Sequence, residues 1–138
     1  IRRPPRSTPK PSSAASDVYK RQCLDGDGSV LMHLGSLRTC GLIGKKNFKH
    51  ILLNNNCHES VGGQITHAFD INFKQLTKSI GYKNYFKLSE QKNSKKTIKK
   101  FLKSKGPSFL EVYLENKSMY NLKRPKKFLE IKKQFMKK

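Results

Sequence analysis

The chain has no tryptophan, only three cysteines and only nine acidic residues in 138. Cys23, Cys40 and Cys57 are odd in number and form no CxxC pair, which argues against a disulfide framework and against a zinc ribbon. No apolar run approaches the ~18 residues that cross a bilayer. The first residues also lack the basic-then-apolar pattern of a secretory leader. The expectation is a small cytoplasmic domain with no membrane role. Arginine is scarce as well: from residue 23 onward there are 22 Lys and only two Arg, Arg38 and Arg124. Base readout favours the planar arginine fork, so this is a poor profile for a sequence-specific DNA reader.

What the chain has in excess is positive charge, +21 in all. The charge is uneven: +5 over residues 1–22, +2 over residues 23–82 and +14 over residues 83–138. Lysine accompanied by Asn, Ile and Phe fits an AT-rich genome, and a working polyanion surface is the functional alternative. Residues 1–22 hold four of the six prolines and no apolar periodicity, so they are expected to be disordered. Their end, Asp17-Val18-Tyr19-Lys20-Arg21-Gln22, resembles the translated end of a transposase-based sequencing adaptor. On that reading the native sequence starts at Cys23, and residues 23–138 form one partial domain.

From Cys23 onward the pattern is β-α-β-α-β-α-β-α. Cys23-Leu24-Asp25 ends a first strand. Leu31, Leu34, Leu37 and Cys40 recur at helical spacing in a helix from Val30 to about Leu42. Phe48–Leu53 reads as a strand, Cys57–Asp70 as a loop, and Asp70 as the cap of a helix through Ile80. Asn84–Leu88 is a strand, Ser94–Lys105 a basic helix and Phe109–Leu114 a strand. Lys126–Lys137 is a terminal amphipathic helix. Strands separated by helices of this length predict an α/β fold, a parallel sheet with helices on both faces.

Ligands of open α/β sheets bind beyond the carboxyl ends of strands. Two such ends here are polar. Gly26-Asp27-Gly28-Ser29 passes from strand into helix, where glycines admit an anion to the backbone and helix amides can receive a phosphate. Asp27 would repel that phosphate unless a divalent cation joined them, and magnesium takes such hard oxygen ligands. The second end, Asn54-Asn55, follows after 25 residues, enough for one crossover. There is no third glycine at Leu31 and no GKS or GKT, so neither a dinucleotide fingerprint nor a P-loop is present. Taken alone, GDGS is also compatible with an ordinary turn.

The pairing of GDGS with Asn54-Asn55 resembles the cofactor motif of thiamine-diphosphate-dependent enzymes. His33-Leu34-Gly35-Ser36-Leu37 and the string from Asn54 through Cys57-His58-Glu59-Ser60-Val61-Gly62-Gly63-Gln64-Ile65-Thr66 are similar to phosphonopyruvate decarboxylases. They are less closely similar to sulfopyruvate decarboxylase. The likeness continues through Ile80-Gly81-Tyr82, Lys105-Gly106-Pro107-Ser108-Phe109 and Arg124-Pro125. Ile65 departs from a usual proline, and Asn56 from a usual small residue.

The resemblance implies the diphosphate-binding domain of a 2-keto acid decarboxylase, truncated on its N-terminal side. Gly26, Asp27, Gly28, Ser29, Asn54 and Asn55 would bind thiamine diphosphate. Asp27, Asn55 and the Cys57 carbonyl would bind Mg. His58 and Glu59 would act at the substrate, while Gly62, Gly63, Gln64 and Thr66 close a loop over it. Phosphonopyruvate would yield phosphonoacetaldehyde and CO2, as part of phosphonate biosynthesis. A pyrimidine-binding domain would come from the missing N-terminal region, in a homodimer or higher oligomer, and the chain alone would be inactive. His33 is expected to pack, and His50 and His67 carry no signal. The alternatives are sulfopyruvate or another thiamine-enzyme substrate and, from another class, a basic nucleic-acid-binding module.

Overall fold

The computed structural model describes residues 21–89, 93–116 and 127–136. Most of the segment expected to be disordered, and the Arg124-Pro125 pair, lie outside the described residues. The elements in chain order are β1 (Arg21–Gly26), α1 (Asp27–Met32), α2 (Leu34–Ile43), β2 (Phe48–Asn54), α3 (Phe73–Ser79), β3 (Asn84–Leu88), α4 (Ser94–Lys103), β4 (Ser108–Tyr113) and α5 (Phe128–Met136). The four strands form one all-parallel sheet in the order β1-β2-β4-β3. The expected α/β class holds, and the differences lie in the boundaries.

Strand β1 begins two residues before Cys23, with Arg21 opposite Phe48 and Gln22 opposite Lys49. The helix expected over Val30–Leu42 is two helices that meet at His33, whose backbone (φ −120°, ψ 38°) serves as the end of one and the start of the other. His33 is exposed there rather than packed. Asp70 does not cap α3. It closes a 3₁₀ turn, Ala68–Asp70, and the cap is Asn72, whose side chain accepts from the Gln75 amide at 3.0 Å.

The register assigns the faces. Cys23, His50, Phe109 and Tyr85 stand opposite one another across the four strands, and alternation puts Asp25, Leu52, Glu111 and Lys87 on the same face. Helices α1–α3 cover that face: Val30, Leu37, Ala68, Phe73 and Tyr82 form one buried cluster with Leu52 and Phe109. Phe109 is its centre, with rings of His50, Phe73, Tyr82 and Tyr85 between 5.1 and 6.4 Å away. Residue Gly41 lets α2 approach the end of α3, since a Cβ there would sit 2.1 Å from the Ile80 carbonyl oxygen.

The opposite face carries α4 through Phe101, which packs edge-on against Phe86 at 5.7 Å. The helical spacing of Ile98, Phe101 and Leu102 predicts a buried stripe, but Phe101 alone is fully buried, Leu102 is half-buried and Ile98 is 40% exposed. Beneath it Lys49 is 1% exposed. Its ammonium donates to Ser104 Oγ at 2.8 Å and to Ser108 Oγ at 3.2 Å, so this charge lies inside with its donors used. At the β1 edge this face is open, and Leu24 is 60% exposed.

Candidate active site

Parallel strands bring their carboxyl ends to one edge, and here β1 and β2 are neighbours with Gly26 opposite Leu53. Gly26 leads directly into α1, and Asn54 into Asn55. Between these ends and the end of β4 lies a cleft of about 680 Å³ lined by Gly26, Asp27, Gly28, Ser29, Asn55, Cys57, His58 and Glu59, among others. Met32, Leu53, Val61 and Leu114 supply its apolar wall. Two motifs 25 residues apart in sequence thus share one wall at a sheet edge suited to ligands.

Asp27 is 2% exposed and receives the Thr66 hydroxyl on Oδ2, which leaves Oδ1 for another partner. Asn55 turns its side-chain oxygen back to the Cys57 amide at 3.2 Å. Its amide nitrogen donates to Glu59 Oε2 at 3.4 Å. Gly28 has a steric reason: a Cβ there would fall 2.2 Å from the His58 ring, so His58 packs on the motif's backbone only because that residue is glycine. Among the described residues no Lys or Arg lines the cleft, in a chain of net charge +21.

Asn54 is the expected site residue that the structure keeps out of the cleft. It is 0% exposed, its amide donates to Glu111 Oε1 at 3.0 Å, and its side-chain oxygen accepts from the Asn56 amide at 3.2 Å. Its part is to anchor the loop that Asn55 begins. The stretch from Cys57 to Asp70 is more ordered than a plain loop. Cys57 bridges Ile65, the His58 amide donates to the Gln64 carbonyl at 2.8 Å, and a 3₁₀ turn spans Glu59–Val61. Asn56 has a φ of 57°, which asparagine tolerates almost as glycine does, so its departure from the usual small residue fits the backbone. Thr66 joins this loop to Asp27. The resemblance implies a place for Thr66 over substrate, whereas the folded loop sets its hydroxyl on the buried Asp27 carboxylate.

A second polar group lies on the core face. His50 bonds Asp25 Oδ2 through Nε2 at 2.8 Å and the Tyr82 hydroxyl through Nδ1 at 2.8 Å. The Cys23 thiol donates to the same Asp25 oxygen at 3.3 Å. His50 was read as carrying no signal, yet it joins two strands to the segment after α3. The missing information was the register that sets it opposite Cys23. Burial lowers the His50 pKa, partly offset by Asp25. Burial, then the Asp25 carboxylate and last Cys40 together push the Cys23 thiol up to about 11.

These two shifts have a sign. A histidine with a depressed folded pKa takes up fewer protons than the unfolded chain, so its contribution to stability is lost as pH falls below about 6.5. A thiol with a raised folded pKa contributes stability that is lost as pH rises from 9.0 toward about 11. Melting in EDTA is expected to be flat between those limits and to fall on both sides. In His50→Phe the acid-side decline from this residue is absent, and an unchanged acid limb would contradict the assignment.

The family described as "Thiamine pyrophosphate enzyme, C-terminal TPP binding domain" matches residues 13–112. The chain belongs to this family. It is 33% identical over 103 residues to a phosphonopyruvate decarboxylase of Streptomyces viridochromogenes, 75% of this chain and 26% of that protein. It is 35% identical over 99 residues to the sulfopyruvate decarboxylase subunit beta of Methanothermobacter thermautotrophicus, 72% of this chain and 51% of that subunit. The chain therefore spans about a quarter to a half of these relatives. As a thiamine pyrophosphate enzyme segment it has thiamine diphosphate as its family's cofactor, and these two relatives are decarboxylases. Among the described residues no helix is long and apolar enough to cross a membrane.

Proposed function

We propose that the chain is the diphosphate- and magnesium-binding part of a thiamine-diphosphate-dependent 2-keto acid decarboxylase acting on phosphonopyruvate. The observation that carries this reading is the single cleft uniting Gly26-Asp27-Gly28-Ser29 with Asn55, Cys57, His58 and Glu59. The donor chemistry fits the group. Asp27 supplies a carboxylate, Asn55 a neutral oxygen and Cys57 a backbone carbonyl, an all-oxygen set suited to Mg²⁺. A diphosphate entering a cleft that holds Asp27 and Glu59 is repelled by these carboxylates without a cation between them.

Gly26, Gly28 and Ser29 would face the diphosphate with backbone and hydroxyl groups. When bound, thiamine diphosphate supplies an electron sink for the pair left by departing CO2. His58, half-buried against Gly28, would bind the anionic head of the substrate or move a proton beside it, and Glu59 would position Asn55. Loop 57–66, tied to Asp27 through Thr66, would restrict water. Catalysis would also require a pyrimidine-binding domain outside this chain, in the same polypeptide or in a partner subunit.

Sulfopyruvate is the second reading, favoured by the likeness to sulfopyruvate decarboxylase beta subunits. Titrating each keto acid into the chain preloaded with thiamine diphosphate and Mg²⁺ separates them. Phosphonopyruvate is expected to bind more tightly, and His58→Ala to weaken it about tenfold, the loss of one charge-assisted hydrogen bond. Tighter binding of sulfopyruvate, or no effect of His58→Ala, overturns the substrate assignment.

A further inference from the structure

On the core face of the sheet, away from the cleft, one thiol, one carboxylate and one imidazole converge. Cys23 Sγ, an Asp25 carboxylate oxygen and a His50 ring nitrogen all lie within 4.8 Å of one another, and among the described residues no other group of three such side chains does. Their placement is fixed by paired backbone. Cys23 and Asp25 are alternate residues of β1, and His50 stands opposite Cys23 on β2. None of the three lines the cleft of Asp27. The side chain of Asp25 is 31% exposed and that of His50 is 3% exposed, so the group has one open side and one closed side.

We propose that Cys23, Asp25 and His50 form a binding site for a zinc-class divalent cation. Sulfur, nitrogen and oxygen together select a borderline transition ion and disfavour Mg²⁺ or Ca²⁺, which take oxygen alone. Usual zinc bond lengths in a tetrahedron put ligand sulfur and oxygen about 3.6 Å apart, and nitrogen and oxygen about 3.4 Å. The present separations are 3.3 and 2.8 Å. An opening of about half an ångström accommodates the ion, which side-chain rotation supplies without moving the strands. The thiol releases its proton on binding.

The surrounding groups suit the site. Tyr82 bonds the other nitrogen of His50 at 2.8 Å. A hydroxyl can donate or accept, so it can hold the tautomer that leaves Nε2 bare for metal. The three side chains leave the fourth metal position to water.

The test is titration of Co²⁺ into the full chain in excess Mg²⁺, read by absorption. The expected result is a saturable thiolate-to-cobalt band at one equivalent, displaced by Zn²⁺. The band should be lost or at least tenfold weaker in both Cys23→Ser and Cys23→Ala, and unchanged in Asp27→Ala. Absence of a thiolate band in the native chain overturns the site regardless of any variant. So does a band that survives loss of the Cys23 thiol, or one that disappears in Asp27→Ala, because the ion would then lie elsewhere.

Discussion

Asp27→Ala is expected to weaken Mg²⁺-dependent binding of thiamine diphosphate by about 30-fold or more. Removing one member of a buried charge contact typically costs about 2–5 kcal/mol, and each 1.4 kcal/mol is about tenfold. Asp27 is buried and tied to Thr66, so the alanine variant also loses a loop contact. Asp27→Asn separates the two effects, since an amide still accepts from the Thr66 hydroxyl while carrying no charge for a cation. If charge is the cause, Asp27→Asn weakens binding nearly as much as Asp27→Ala. Retention of near-native affinity in Asp27→Asn would assign Asp27 to loop support. The measurement is calorimetric titration at fixed Mg²⁺, with circular dichroism establishing that each variant is folded. The rival reading, a basic nucleic-acid module, predicts salt-sensitive polyanion binding that Asp27→Ala leaves intact.

Phe109→Ala is expected to lower stability by about 3–5 kcal/mol, a drop of about 10–20 °C in melting temperature for a domain of this size. Phe109 is 0% exposed, and four aromatic rings surround it. It sits on β4, between β2 and β3, and the rings around it come from those strands, from α3 and from Tyr82 just beyond. Ile98→Ala on α4 is the internal comparison. Ile98 is 40% exposed, and its truncation is expected to cost less than about 1 kcal/mol. Equal losses at the two positions would contradict a core centred on the face under α1–α3.

The order of elements is legible because period-2 and period-3.6 patterns are local. Phe48–Leu53 and Asn84–Leu88 are read nearly to the residue. The break at His33 is not legible, because Leu31, Leu34, Leu37 and Cys40 keep helical spacing straight through it. Asp70 misleads for the reverse reason: it is a good cap residue, but Asn72 holds the position two residues later.

Charge hides the interior. Lys49 and Glu111 are charged yet buried; Ser104 and Ser108 satisfy one, and Asn54 and Tyr85 the other. These partners are 26 to 59 residues distant in sequence, and only the fold brings them together. The same holds for the site. The Gly-Asp-Gly-Ser and Asn-Asn spacing is visible as text, whereas the division of labour between Asn54 and Asn55 depends on which one the strand turns inward. The net charge of +21 is the most conspicuous property of the sequence, but among the described residues it contributes no lysine or arginine to the cleft.

The central claim is that this cleft holds a diphosphate through a magnesium ion. Calorimetric titration of thiamine diphosphate into the native chain, once in excess Mg²⁺ and once in EDTA, tests it most directly. The account predicts saturable one-to-one binding with Mg²⁺ and at least tenfold weaker binding in EDTA. Binding of equal strength in both, or none in either while a DNA duplex binds and is released by salt, would contradict it.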